Sequence, residues 1–307
     1  MRIAILGVGG VGGVYGAELA RAGHEVMMWC RGANLVAIRQ RGVEVQTPNG
    51  AFTVRPGATD TLEAMDGAEL AIVSVKAYSL KEIAPVVKYL AERGALVLPL
   101  LNGVDSVETL VSLGVPKAQV LAGLTHISAQ RVAPGVFERR SSFQQVTLGE
   151  PGGGPSPRAE KVAEVLRGAG IQAKAVEDIQ RDVWRKFIFI SVAAACCGLT
   201  RSTLGRVRDA PQGWPLLERA VREVSAVGRG RGVPLTAEDE DGVMKYLREL
   251  PASLKPSFLL DVEGGGPTEL DSLIGAVTRL GASAGVPTPL FDTIWMALSV
   301  MLWKNKP

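Results

Sequence analysis

The chain opens with a pattern that leaves few folds open to it. Ile3 to Leu6 form a short, wholly apolar run. Gly7, Gly9 and Gly12 follow at the spacing Gly-x-Gly-x-x-Gly, and a helical pattern runs from Val11 through Leu19 and Ala20. Strand, glycine turn and helix in that order are the start of a parallel α/β sheet. The same order suits a dinucleotide pyrophosphate. Gly7 permits the tight turn, Gly9 lets the backbone approach phosphates, and Gly12 lets the helix lie close to the strand. The helix start, with Gly10 and Val11, offers free N–H groups and the positive end of a dipole.

At 307 residues the chain is long for one domain, and two are expected. Composition is globular, with 47% hydrophobic and 21% charged residues. A net charge of +3 is too small to argue for nucleic acid. The three cysteines, Cys30, Cys196 and Cys197, make neither a disulfide framework nor a zinc spacing, so free thiols and no metal are expected. The apolar start carries an arginine and many glycines and is explained by the strand, not by a signal peptide. The longest apolar stretch, Phe187 to Leu199, is shorter than a span of ~30 Å of hydrocarbon requires. A soluble cytoplasmic protein is the expectation.

After the first helix, which Gly23 ends, Glu25 to Trp29 read as a second strand followed by Cys30, Arg31 and Gly32. An acidic residue that holds a ribose hydroxyl lies about 20 residues beyond the glycines in NAD sites. That region here carries no acid but does carry Arg31, which would pair with a 2′-phosphate, so NADP is expected over NAD. Residues 43–54 alternate around Pro48-Asn49-Gly50, a hairpin signal. Glu69 to Val75 and Ala95 to Leu100 read as buried strands, with Lys76 and Asn102 just past their ends. Ligands of open α/β sheets gather outside such carboxyl ends. Further strands over 120–128, 144–148 and 172–175 complete the first domain, with Pro134-Gly135 as a turn, and His126 reads as structural.

From Ile179 the pattern is helical throughout. Residues 183–199 read as a buried central helix. Lys186 at its start must then either reach out to water or sit desolvated with a lowered pKa. The residues sharing its face, Ile190 and Ala194, offer it no polar partner. Helices are also expected over 214–230, 237–250, 254–262 and 290–303. Thr268-Glu-Leu-Asp271 has the form of a capping signature, which would place Glu269 as an ordinary first-turn carboxylate.

Taken together these residues resemble the ketopantoate reductase family (2-dehydropantoate 2-reductase) over nearly the whole chain. The likeness lies in the opening Arg2-Ile-Ala-Ile-Leu-Gly-Val-Gly-Gly-Val-Gly12 and in Arg31. It continues in Ser74-Val-Lys-Ala-Tyr78, Leu101-Asn-Gly103, Trp184-Arg-Lys186, Pro256-Ser-Phe-Leu-Leu-Asp261 and Thr268-Glu-Leu-Asp271. The resemblance implies NADPH-dependent reduction of ketopantoate to (R)-pantoate, a step in pantothenate biosynthesis. It implies Lys186 as general acid and Glu269 as the group orienting the carbonyl or hydroxyl. Asn102 and Lys76 would lie near cofactor and substrate, Ser257 would contact the substrate carboxylate, and Arg31 would bind the 2′-phosphate. A homodimer through the helical domain is a further implication. The family places asparagines where this chain has Ile190 and Ala194, so this substrate pocket is expected to be more apolar. A different, more apolar 2-oxo acid is therefore a second expectation within the class, and a non-catalytic NADP sensor a third.

The expected architecture is an α/β Rossmann-type domain over residues 1–177 and an all-α domain over 178–307, as in 6-phosphogluconate-dehydrogenase-like proteins. The substrate is expected in the cleft between them, where closure would assemble the site.

Overall fold

The structure is a computed structural model and describes residues 1–303. It divides into two compact units, one of Met1–Leu101 and Asp105–Gln180, the other of Asn102–Val104 and the chain from Arg181 on.

The first unit holds twelve strands among the described residues: β1 (Arg2–Leu6), β2 (Glu25–Trp29), β3 (Val43–Thr47), β4 (Gly50–Val54), β5 (Gly57–Thr59), β6 (Leu70–Val73), β7 (Leu96–Pro99), β8 (Ala122–His126), β9 (Ala129–Ala133), β10 (Val136–Arg139), β11 (Gln145–Gly149) and β12 (Gln172–Ala175). The principal sheet is parallel, in the order β5-β2-β1-β6-β7. The chain moves outward from β1 on one side, then returns to its other side with β6. That reversal is the topological switch point at which such sheets bind ligands. β1 and β6 are nearly continuous apolar runs because helices cover both faces of a parallel sheet.

Two smaller sheets complete this unit, β4-β3-β10-β9 and β12-β11-β8. The β3–β4 hairpin turns at Pro48-Asn49, as its turn chemistry predicts. Its helices are α1 (Gly10–Arg21), α2 (Gly32–Arg41), α3 (Leu80–Glu92), α4 (Ser106–Ser112) and α5 (Pro157–Gly168). α5 starts cleanly because Ser156 caps it, its hydroxyl accepting from the Ala159 N–H at 3.1 Å, and Pro157 needs no donor at the first position.

The second unit is helical. α6 (Ile179–Thr200), whose first two residues belong to the other unit, is followed by α7 (Leu204–Arg208), α8 (Gly213–Gly230), α9 (Ala237–Glu249), α10 (Ser257–Glu263), α11 (Leu270–Leu273), α12 (Gly275–Ala284) and α13 (Pro289–Met301). α6 is longer than the apolar stretch suggests, and by length and composition it could cross a bilayer. Two thirds of its most apolar window is buried inside the protein, which makes it a core helix. Trp184 and Phe187 meet edge to face at 5.6 Å, and Ile188, Val192 and Ala195 continue the core.

Polar side chains close the helix ends of this unit. The Glu223 carboxylate accepts from the N–H groups of Leu290 and Phe291 at the start of α13. Arg208 donates to the carbonyls of Arg248 and Leu250 at the end of α9. Each places charge where the helix dipole favours it. At the start of α9, Asp239 takes part in a capping box with Thr236 and also receives Arg181 and Arg185 from α6, at 3.0 and 3.3 Å. Burial alone would push the Asp239 carboxyl up. The Thr236 N–H and the two guanidinium groups outweigh burial and hold it below the usual carboxylate range.

Some expected elements differ in the structure. The helix expected from residue 254 begins at Ser257, because Pro256 supplies an extended entry. The capping box expected at Thr268 is not formed. Glu269 itself occupies the N-cap position of α11, with no side-chain cap, and its carboxylate is buried.

Candidate active site

Four expected residues follow carboxyl ends of the parallel strands in the chain, three of them in the first unit and Asn102 in the second. Gly7 follows β1, Arg31 follows β2, Lys76 follows β6 and Asn102 follows β7. Gly7 has φ +99°, and a Cβ there would lie 2.6 Å from the Val75 nitrogen, so only glycine serves. A Cβ on Gly12 would strike the Gly7 carbonyl and the Ser74 hydroxyl. That hydroxyl donates to the Gly7 carbonyl at 2.9 Å and ties the turn to the end of β6.

The start of α1 fits the phosphates of a dinucleotide. Gly9 is its N-cap and supplies no capping side chain, and the first turn carries no acid. The first N–H groups of the helix, on Gly10, Val11 and Gly12, have no partner within the helix. A Cβ built on Gly9 would meet nothing within 4 Å, so the N-cap itself borders open space. The donor set suits an anion.

Asn34 on α2 is a residue that sequence reasoning missed. Its amide nitrogen donates to the Val8 carbonyl at 3.3 Å, and its oxygen accepts from the Gly135 N–H at 2.9 Å. It thereby fixes the glycine turn to the turn between β9 and β10. The signal was a polar residue on the buried face of a helix, but α2 was itself not foreseen.

Arg31 stands exposed at the N-cap of α2 and pairs with Glu82 on α3. Around it, sequence reasoning found no acid after β2. The fold nevertheless brings one in from the neighbouring strand: Asp60, just past β5, acts on the Cys30 thiol together with Arg39 and Arg131. Burial pushes that thiol up to about 11.

In the second unit, Lys186 has a polar partner that its own helix could not supply. Its ammonium donates to the Asn102 side-chain oxygen at 3.1 Å. Val104, two residues on, packs on the helical core and so anchors the segment that carries Asn102. Burial lowers the Lys186 pKa to about 8, against the opposing pull of the Glu269 carboxylate. Glu269 is 3% exposed. A lysine, an amide oxygen and a buried carboxylate are thus gathered in one unit. The lysine is poised to exchange a proton near neutral pH.

The remaining expected site residues separate. Ile190, one turn beyond Lys186, is half-buried against the core. Ala194, two turns beyond Lys186, is 1% exposed and packs in that core. Ser257 is exposed at the first position of α10. His126 is exposed at the end of β8.

Comparison with known proteins matches this chain to two family models. Ketopantoate reductase PanE/ApbA matches residues 3–153, and ketopantoate reductase PanE/ApbA C terminal matches residues 178–301. The 2-dehydropantoate 2-reductase of Archaeoglobus fulgidus is 31% identical, covering 95% of both chains. The crystal structure of 2-dehydropantoate 2-reductase from Geobacter metallireducens GS-15 superposes with a TM-score of 0.90 at 25% identity, over 98% of this chain and all of that one. D-mandelate dehydrogenase, in a ternary structure with NADH and anilino(oxo)acetate, shares the fold with a TM-score of 0.89 at 23% identity and 98% coverage of each.

Proposed function

This chain belongs to the ketopantoate reductase family, oxidoreductases acting on CH–OH groups with a nicotinamide cofactor and a small keto acid, and we propose that it reduces ketopantoate to (R)-pantoate with NADPH. The observation that carries this reading is the Lys186 ammonium, held by Asn102, influenced by Glu269 and lowered to about 8.

The glycine turn and the start of α1 would hold the pyrophosphate, with Arg31 at the 2′-phosphate and Lys76 nearby. Bound there, the nicotinamide supplies a hydride for the keto carbon. Reduction also needs a proton on the carbonyl oxygen. An ammonium with a pKa about 8 is mostly protonated at neutral pH, yet gives up its proton far more readily than an ordinary lysine. Before transfer it donates a hydrogen bond that stabilises the developing alkoxide. Asn102 accepts one ammonium hydrogen and so aims the others. The Glu269 carboxylate keeps the lysine charged despite burial and can accept from the product hydroxyl.

Ile190 favours a second reading. It places an aliphatic side chain one helical turn from the acid, where the family's hydrogen-bonding residue would stand. A pocket lacking that donor discriminates less well in favour of a hydroxylated substrate. The alternative is a bulkier, more apolar 2-oxo acid. A fold neighbour solved with anilino(oxo)acetate is in keeping with it.

The test is NADPH consumption with ketopantoate and with a panel of aliphatic and aromatic 2-oxo acids. The highest kcat/KM with ketopantoate supports the first reading. A preference of tenfold or more for an apolar acid supports the second. Cofactor binding without turnover of any acid overturns both.

A further inference from the structure

We propose that Arg131, on β9, supplies the second positive charge that reads the 2′-phosphate of the cofactor, and so shares with Arg31 the discrimination between NADPH and NADH. This rests on the NADP reading above and extends it to a residue on a separate sheet.

Three observations place the side chain. The backbone of Ala129, at the start of β9, lies against Gly10, the first residue of α1. Arg131 pairs across the ladder with Phe137 of β10, and paired residues of an antiparallel ladder face the same side. The Phe137 ring packs on Gly13 of α1, so that side is the α1 side. Finally, Cys30, directly after β2, lies within electrostatic reach of Arg131. The guanidinium therefore stands by the wedge between the start of α1 and the end of β2. In a dinucleotide fold the pyrophosphate sits on the first and the adenosine ribose at the second. A substituent on the ribose 2′-oxygen falls in that wedge.

The charge balance also calls for a second cation. A phosphate monoester carries close to two negative charges. Arg31 already shares its charge with Glu82. Arg39 is held by the Ala58 carbonyl at 3.0 Å, and Asp60 adds a negative charge beside Cys30. The Arg131 side chain is exposed and makes no hydrogen bond or ion pair among the described residues. Its guanidinium can turn to the phosphate without giving up another contact.

The test is direct binding, by calorimetry, of NADPH, NADH, 2′,5′-ADP and 5′-AMP to the wild-type chain and to Arg131→Gln, Arg131→Lys and Arg31→Gln. Arg131→Gln should weaken NADPH and 2′,5′-ADP about tenfold and leave NADH and 5′-AMP within about twofold. Arg131→Lys should recover most of the loss, because charge and not shape is required. An equal loss for phosphorylated and unphosphorylated ligands, or no loss at all, overturns the role of Arg131. If wild type prefers NADPH but Arg131→Gln leaves that preference intact, the assignment of Arg131 alone fails. If wild type binds NADH as tightly as NADPH, the NADP reading itself fails, and this proposal with it.

Discussion

The charge on Glu269 is expected to set the pH at which this enzyme loses its proton donor. Lys186 has moved from 10.5 to about 8 through burial, with Glu269 opposing the shift. That displacement is worth roughly a few kcal/mol. Glu269→Gln keeps the shape and removes the charge. Removing a full charge that acts on a buried ammonium should lower its pKa by on the order of one to two units. The lysine of the variant should then titrate below that of wild type.

With Lys186 as the proposed proton donor, reduction needs the protonated lysine, so its rate should fall as pH rises through this pKa. At pH 7 the protonated fraction falls accordingly, and kcat/KM for the keto acid should drop several-fold, up to about tenfold. At pH 5 the variant should approach wild type. The reverse reaction needs the neutral amine and should be helped at pH 7. The assay is initial-rate kcat/KM in both directions from pH 5 to 10, with Lys186→Arg as the control that cannot deprotonate. If the alkaline limb of Glu269→Gln coincides with that of wild type, Glu269 does not govern the lysine. A loss uniform across pH would make Glu269 a binding group only.

Three other perturbations test separate parts of the molecule. Gly12→Val places a side chain against the Gly7 carbonyl and the Ser74 hydroxyl, and should abolish cofactor binding measured by fluorescence titration. Ile190→Asn returns a polar side chain to the turn after Lys186, and should raise kcat/KM for ketopantoate relative to an aromatic 2-oxo acid by about tenfold. No change in that ratio would remove Ile190 from the specificity argument. Asp239→Asn breaks the pairing with Arg181 and Arg185 and weakens the cap of α9, and should cost about 2 kcal/mol in urea unfolding at pH 7. The Asp239 pKa is lowered in the folded state, so its contribution is complete above the ordinary aspartate value of about 3.9 and fades as pH falls below it. The two proteins should therefore converge in stability at strongly acid pH.

What could be read in advance was what nearby residues settle among themselves. The glycine turn, the apolar strands β1 and β6, and the hairpin at Pro48-Asn49 each follow from a few neighbouring residues. α2 escaped because it begins on a glycine and its ten residues include two arginines, a glutamine and an asparagine, which leaves a faint apolar face. The β9–β10 hairpin escaped because Ala129 to Ala133 is short, largely exposed and without apolar alternation, held by its ladder and by α1. The site divides along the same line. The glycines announce themselves, but the partner of Lys186 is 84 residues away in sequence, and no periodicity along α6 points to it. Nor did the residues before α11 disclose that Glu269 turns inward; a capping signature and a buried carboxylate look alike until packing is known.

Residues Asn102–Val104 carry a consequence for how this chain can be divided. They belong to the helical unit, although they were synthesised well before it. A fragment beginning at Arg181 would lack the oxygen that holds the Lys186 ammonium and the valine that covers part of its core. On the ribosome, the helical unit must wait for no later residue to complete this corner, yet must recover an earlier one. The closing of that long loop is an entropic cost that a self-contained helical bundle would not bear. Gene fusions or chimaeras that exchange the helical half between relatives must therefore carry three residues from the other half with it.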